Sequence, residues 1–165
     1  MPKPIYSFED LLRLLQDDGV MHQPDRPTMT VHIPTEIGPH EGVLLMRWLE
    51  HEGVLQMVHA LPFVVPHRTR PVFIDAVNQL NHAMTLSGFA IHPQQGLPYY
   101  RRELPIAPRG WIFDEEIRWW FGISVDVVTT CTPPLQRVAS GDLSVTEFLE
   151  DASFDITRLF RPPAL

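Results

Sequence analysis

The sequence has a single cysteine, no excess of positive charge and no long uninterrupted apolar run. With Cys131 alone, the chain cannot form an internal disulfide. Twenty acidic residues against thirteen basic ones give a formal net charge of -7, so we do not expect a nucleic-acid partner. The first residues, MPKPIYSFED, lack the basic and then apolar layout of a signal peptide, and no later run is long enough to cross a membrane. These features predict a cytoplasmic protein that binds neither nucleic acid nor membrane.

Signatures of common catalytic and metal sites are missing as well. No GxSxG, GxGxxG or P-loop motif occurs, and the eight histidines form no HxH, HxxxH or HExxH pair. The sequence TTCTPP places Cys131 at the expected end of a helix, where the helix dipole disfavours a thiolate nucleophile. We therefore predict a protein that is not an enzyme and needs no metal or other cofactor. The alternative is a small-molecule-binding or metal-assisted enzyme that uses the scattered histidines.

The composition, 44% hydrophobic and 20% charged, is typical of a folded protein, and we expect a single domain over residues 1–165. The stretch SFEDLLRLLQDDG predicts a first helix, because Ser7 precedes Asp10 at capping distance and the apolar residues share one face up to Gly19. Three stretches rich in strand formers follow, with Gly53 at a turn. They are PTMTVHIP, GVLLMRWLEHEG and GVLQMVHALPFVV, and they predict an antiparallel meander.

The second half of the chain predicts two more helices, a hairpin and a short last helix. Thr69 and Pro71 are suited to the start of a helix in PVFIDAVNQLNHAM, and FAIHP and LPYYRREL read as a hairpin joined by QQG. A third helix is expected to begin near Asp114 and to stop by TPP, because proline in a helix interior loses a hydrogen bond. Ser144 and Glu147 form a capping box for a short fourth helix.

The resulting order is α-βββ-α-ββ-α plus a short C-terminal helix, which predicts an α+β fold. Strands joined by short turns form an antiparallel sheet, here of about five strands, and the helices pack against it. We also expect Asn81 to cap backbone groups of the neighbouring turn or strand, whereas Asn78 lies on the polar side of its helix.

This order resembles that of the YbjN family, which has the type III secretion chaperone-like fold. The resemblance spans residues 7–135 and centres on VNQLNHAMTLSGFAIHPQQGLPYYRRELPI, with a loose motif of Asn78, Asn81, Gly88, Phe89 and Arg101. It implies a chaperone-like core over residues 7–135, followed by a C-terminal appendage over 136–165. It also implies a small, acidic, homodimeric protein that binds an extended segment, client or regulatory partner without catalysis.

The adjacent residues Trp119 and Trp120 raise a separate question, because neighbours on a helix point about 100° apart. Trp120 shares the apolar face of Ile117, whereas Trp119 falls on the polar side among Glu115, Gly122 and Asp126. A tryptophan on a polar face needs a cover. That cover is either the C-terminal segment that bears Phe148, or a second subunit or client.

The strand around Trp48 is apolar on both faces. Trp48 shares one face with Leu44 and Met46, and Val43, Leu45 and Leu49 occupy the other. Helices can cover one face in a monomer, so we expect a dimer to cover the other. The run YYRREL adds an outward tyrosine and arginine, residues typical of contact surfaces. We therefore predict a chaperone-like or regulatory adaptor whose partner-binding residues are Trp119, Trp48, Tyr100 and Arg101.

Overall fold

The computed structural model of the protein describes residues 1–84 and 88–150. Its strands are β1 (Pro4–Ile5), β2 (Gln23–Asp25), β3 (Thr30–Ile37), β4 (His40–Leu49), β5 (Val54–Ala60), β6 (Phe89–Ile91), β7 (Pro98–Pro105) and β8 (Ile112–Phe113). Its helices are α1 (Phe8–Asp17), α2 (Arg70–Ala83), α3 (Asp114–Ser140) and α4 (Val145–Glu150), and a short 3-10 turn over His67–Thr69 leads into α2. The predicted α+β fold and its order of main elements are confirmed.

The main sheet has six strands within the described residues, in the order β2-β3-β4-β5-β7-β6, and every neighbouring pair is antiparallel. The predicted meander forms β3, β4 and β5, and Gly53 makes the last turn with a positive φ of 64°, which glycine adopts at little cost. The predicted hairpin forms β6 and β7. The short strand β2, which adds the sixth strand, was not predicted, because QPD has few strand formers.

All four helices pack on one face of this sheet. Two clusters of buried side chains fill the space between the helices and the sheet. One cluster joins α1 and the start of α3 to β3, β4 and β5, and the other joins α2, α4 and the rest of α3 to the opposite end of the sheet. The strand residues of both clusters alternate along the chain, as a sheet buried on one side requires.

The prediction that the third helix stops before Pro133 is wrong. Helix α3 continues through Pro133 and Pro134 to Ser140 and ends at Gly141, whose φ of 89° is the left-handed conformation usual after a helix. Each interior proline costs about 3 kcal/mol of helix stability. The turn after the prolines carries Leu135 and Val138, both buried completely, and burial of each such side chain contributes about 2 kcal/mol in return.

One further sequence expectation changes with the longer helix. Cys131 lies inside α3, not at its end, and burial raises the pKa of its thiol. The described part of the 136–165 segment, through Glu150, joins the core by way of buried Val138, Leu143 and Phe148. The predicted capping box of α4 is present, since Ser144 and Glu147 each bind the other's backbone N–H.

The start of α3 is tied to the N-terminal part of the chain by one buried carboxylate. Asp114 accepts hydrogen bonds from the backbone N–H of Lys3 at 2.8 Å and from the guanidinium of Arg118 at 2.7 Å. Arg118 also donates to Asp18, which caps α1, at 2.7 Å. Burial alone would raise the pKa of Asp114, but these hydrogen bonds hold that pKa below its ordinary value.

Asn81 has the structural role that the sequence predicts. Its Nδ2 donates to the carbonyl oxygen of Phe89 at 2.8 Å, and its Oδ1 accepts from the N–H groups of Gly88 at 3.2 Å and Phe89 at 3.0 Å. A side chain at Gly88 would place its Cβ 2.1 Å from the carbonyl oxygen of Arg101, so glycine is required there. These residues fix β6 to α2 and β7, and four of the five motif positions therefore serve the fold.

Replacement of Asn81 by alanine should lower the free energy of unfolding by about 2 kcal/mol, because three hydrogen bonds to the start of β6 are lost. Urea denaturation followed by circular dichroism measures this change. The matched control is Asn78→Ala on the exposed side of the same helix, which should leave stability unchanged or slightly higher, since alanine favours helix. Equal stabilities of the two variants would contradict the structural role.

Candidate partner-binding surface

The structure separates Trp119 from Trp120 as their helical positions predict. Trp120 is partly buried against the cluster around α1, whereas Trp119 remains 46% exposed. The two rings meet edge to face with centroids 4.5 Å apart. The guanidinium of Arg102 lies 4.3 Å from the centroid of the Trp120 ring, a cation–π contact that holds this ring from the side of the sheet. Trp119 is thus exposed, with one side of its ring in contact with Trp120.

The described C-terminal segment does not provide the cover that Trp119 was expected to need. Phe148 is completely buried, and Phe148 and Val145 belong to the cluster around α2, at the other end of the sheet from the cluster that Trp120 joins. Residues 151–165, the rest of the predicted segment, lie outside the described residues. Among residues 1–84 and 88–150, Trp119 has nearly half of its surface open.

The other three predicted contact residues divide between the surface and the core. Arg101 points away from the helices, with 53% of its side chain exposed, and forms a loose ion pair with Glu103 at 3.8 Å. Trp48 and Tyr100 point toward the helices and are 4% and 0% exposed. The structure therefore brings Trp119 and Arg101 to the surface and places Trp48 and Tyr100 in the core.

Two more aromatic residues lie near the start of α3, and sequence analysis did not single them out. Trp111 and Phe113 pack edge to face at 4.5 Å, and the guanidinium of Arg109 lies 4.9 Å from the Trp111 centroid. Arg109 also donates to Glu116 at 3.3 Å, one helical turn before the tryptophan pair. We call this set the aromatic surface: Trp111, Phe113, Trp119 and Trp120, with Arg102 and Arg109.

The residue types of the aromatic surface are those that dominate protein contacts. Tryptophan and arginine are enriched at the few positions that supply most of the binding free energy of an interface. In the sequence, this surface could have been recognised from the high frequency of tryptophan and arginine between Arg101 and Trp120. Their contacts were not predictable, because the stacking of Arg102 on Trp120 depends on how α3 is placed on the sheet.

A cleft lies along the edge of β7 and is lined in part by Arg102 of the aromatic surface. Strand β6 pairs with Pro98–Tyr100, and its last contact is the hydrogen bond from the Arg101 N–H to the carbonyl oxygen of Gly88 at 2.8 Å. The cleft is open, has a volume of about 360 Å³ and is lined by residues that include Phe89, Arg101 and Arg102. The cleft lies where β6 ends beside β7, and Arg102 is the one residue that it shares with the aromatic surface.

The sheet face opposite the helices, which we call the outer face, is the second candidate surface. It carries Val43, Leu45, Val58, Ala60 and Tyr99, and all of these are exposed or partly exposed. In the described part of the chain no helix packs on it. Beside the apolar residues runs a polar row across three strands: Arg47 donates to Gln56 at 3.3 Å, and Gln56 donates to Glu103 at 3.0 Å.

The histidines, which support the alternative of an enzyme, are not gathered in one place. Within residues 1–84 and 88–150, no three His, Cys, Asp or Glu side chains lie close enough to share a metal ion. In the same residues, no helix combines the length and the apolar character that a membrane span requires.

His59 has an unusual environment. It is completely buried, and its Nε2 lies 2.8 Å from the hydroxyl of Thr35, although β4 separates the two strands. The contact is possible because Gly42, the residue of β4 paired with Thr35, has no side chain, and a Cβ there would lie 2.9 Å from the Thr35 hydroxyl. Burial lowers the pKa of His59 from 6.5 to about 4. His59 is thus a neutral core residue.

Comparison with known proteins identifies the family. The sequence model of the YbjN family, described as "Putative bacterial sensory transduction regulator", matches residues 9–137. The chain belongs to the YbjN family. A crystal structure of YbjN from E. coli, described as "a putative transcription regulator", aligns with a TM-score of 0.59, covering 84% of this chain and 96% of that one. The alignment shows a common fold at 11% sequence identity. The comparison with curated proteins gives no match.

The resemblance predicted from the sequence is therefore confirmed, and with it the fold. The family match includes the Asn81 and Gly88 positions that fix β6, as well as Trp119 and Trp120. It ends at residue 137, inside α3 and before α4. The family is described as a regulator, which agrees with the regulatory role predicted from the sequence.

The stability of this YbjN-family protein should depend on the protonation of His59. Because the pKa of His59 falls from 6.5 in the unfolded chain to about 4 in the fold, its contribution is complete above pH 6.5 and is lost as the pH falls to 4. The difference corresponds to about 3 kcal/mol. Urea denaturation at several pH values between 7 and 4 measures it.

The variant His59→Gln should remove this part of the pH dependence, whatever its effect on stability at pH 7. The exposed His51 provides the matched control, since His51→Gln should keep the slope of the unmodified protein. If His59→Gln and His51→Gln lost stability equally between pH 7 and pH 4, the buried neutral state of His59 would be disproved.

Proposed function

We propose that this protein is a non-enzymatic regulatory adaptor that binds a protein partner, either an extended segment or a client, through the aromatic surface. We further propose that it is cytoplasmic and acts as a homodimer. The observation that carries the proposal is the state of Trp119. It is 46% exposed, yet its ring packs on Trp120, which is itself held by Arg102.

An exposed tryptophan that packs on a neighbouring ring is well suited to binding. Ordering a flexible side chain at an interface costs about 0.5–1.5 kcal/mol, and the contact between Trp119 and Trp120 reduces this cost. Tryptophan also offers a large apolar area with one N–H donor, so it can fill a pocket on a partner and still form a hydrogen bond. Arg109, which is bonded to Glu116 one turn before the tryptophan pair, adds a charged group that selects partners with acidic residues.

The family description supports regulation through protein contacts. A regulator that changes the activity of another protein needs a surface, and no catalytic group is required of it. The related E. coli protein is described as a transcription regulator. With a net charge of -7, we propose that any effect of this chain on transcription passes through a bound protein, because direct DNA binding depends on neutralisation of phosphates by basic residues.

Replacement of Trp119 by alanine should weaken binding of a partner by about 30-fold, the loss expected for a central interface tryptophan. The tagged protein is incubated with extract of the cells that produce it, and bound proteins are quantified by mass spectrometry. A captured protein is then titrated against the purified variants. The stability of Trp119→Ala in urea should remain close to that of the unmodified protein, because the side chain lies largely outside the core.

The matched control is Val72→Ala, which shortens an apolar side chain that is also 46% exposed but lies on α2, outside the aromatic surface. It should capture the same proteins as the unmodified chain. If Trp119→Ala and the unmodified chain captured the same proteins with equal affinity, the aromatic surface would not be the binding site.

A further inference from the structure

The outer face presents apolar side chains to solvent in the middle of a wide sheet. Val43 is 41% exposed, and Leu45, Val58 and Tyr99 are partly exposed around it. Contiguous apolar area of this kind on a folded domain is usually covered by another protein surface. We propose that a second copy of this chain covers the outer face, with a two-fold axis that runs along β5. The inference rests on the homodimer of the proposed function and specifies its interface.

The charges on the outer face determine the direction of the axis. The register places Arg47 of β4 opposite Gln56 of β5, and Gln56 opposite Glu103 of β7. The polar row is therefore positive at its β4 end, neutral at its centre and negative at its β7 end. A two-fold axis along β5 places β4 of one copy opposite β7 of the other. Each residue keeps its position along the strand direction, which we call its height. Arg47 of each copy then faces Glu103 of the other, so two ion pairs of opposite charge form across the interface.

The other rows are compatible with the same operation. At the height of Val58, which lies on the axis and faces Val58 of the second copy, Leu45 faces Arg101 of the second copy. The aliphatic part of Arg101 can pack on Leu45 while its guanidinium keeps the ion pair with Glu103. One row further from the polar row, Val43 of β4 faces Tyr99 of β7 in the second copy, and Ala60 lies on the axis. A small side chain on the axis leaves room for the large ring beside it, as in the alternating inner faces of a β-sandwich.

An axis perpendicular to the strands fits less well. Such an axis places β4 of one copy opposite β4 of the other. The two strands then run in opposite directions, so residues above the axis face residues below it. Placed at the polar row, it sets Arg47 against Arg47 and Glu103 against Glu103. Placed at Val58, it buries Arg47 against Val43 and Glu103 against Tyr99, which leaves charges without partners. The axis along β5 pairs Arg47 with Glu103 and Val43 with Tyr99, and it sets no like charges of β4 and β7 opposite each other.

The outer face approaches the area that a stable dimer requires. Strands β3, β4, β5 and β7 together are about 19 Å wide at a spacing of about 4.8 Å, and eight residues extend about 26 Å. The flat area is therefore about 500 Å², and the accessible surface of protruding side chains exceeds it. Stable interfaces bury about 800 Å² on each partner, so this face is close to the size required.

Charge reversal provides a direct test. Arg47→Glu and Glu103→Arg, made separately, each place like charges opposite each other in a homodimer. Each should raise the dimer dissociation constant by at least about 100-fold, because two such contacts are created at a desolvated interface. When the two purified variants are mixed, every contact is again between opposite charges. The mixture should form a one-to-one heterodimer, measured by sedimentation velocity and native mass spectrometry.

The mixture shows whether a variant is monomeric because its interface is altered or because it is misfolded. A misfolded variant would not form a heterodimer on mixing. Arg68→Glu, an exposed charge reversal beside α2, is the control and should remain a homodimer. An unmodified protein that is monomeric at micromolar concentration would overturn the inference. So would dimeric single variants, or a mixture that stays monomeric.

A cross-linking variant covers the case in which a charge-reversed chain does not fold. Val58→Cys places one thiol of each copy beside the axis, and the native Cys131 is completely buried. Mild oxidation should join most of the protein into covalent dimers, whereas Ile74→Cys on exposed α2 should give few. Equal cross-linking of the two variants would exclude the axis along β5. Partner capture by the aromatic surface is measured independently, so a failed dimer test leaves that proposal standing.

Discussion

A single layer of helices on a sheet with two apolar faces is the constraint on which the rest of this structure depends. The strands β4 and β5 carry apolar side chains on both sides, and the described helices pack on one of them. The inner face is therefore a core of ordinary burial, with Leu44, Met46, Leu55 and Met57 completely enclosed. The outer face keeps apolar residues at partial exposure, because no element of the described chain is placed to cover them.

Helix α3 connects the two ends of the core and also produces the aromatic surface. Its first turn is fixed by Asp114 and Arg118, and its last turns are buried against α2 and α4. Between these points Trp120 meets Arg102 of β7, while Trp119, one residue earlier and about 100° around the helix, is 46% exposed. Exposure of Trp119 is thus a consequence of helix geometry, since rotation that buried it would remove Ile117 from the core.

Much of the fold was predictable because local signals and packing agree. The cap at Ser7, the glycine turn at Gly53 and the capping box of Ser144 with Glu147 each mark an element that the structure contains. The end of α3 was not predictable from the same rules. The cost of Pro133 and Pro134 is local, whereas the burial of Leu135 and Val138 that offsets it depends on α2 and α4.

The candidate surfaces were predictable in part. Period-two alternation separates Trp48 and Leu44 from Val43 and Leu45, but it does not say which set faces the helices. In the same way, Tyr99 and Tyr100 point to opposite faces, and the sequence alone favoured the one that is in fact buried. The face of each strand is decided by the register and by the position of α3. For the same reason, Arg102 and Trp111 became visible as part of a surface in three dimensions.

The two surfaces lie on different sides of the chain, and this separation has a functional consequence. The outer face is on one side of the sheet, and Trp119 projects from the helix layer on the other. Two copies joined by their outer faces would direct their aromatic surfaces outward, away from each other. Such a dimer binds two partner sites at once, and a second binding event on a linked partner gains the advantage of high effective concentration. A weak contact at each Trp119 would then be sufficient for stable regulation, and loss of dimer formation would weaken binding without any change in the binding site.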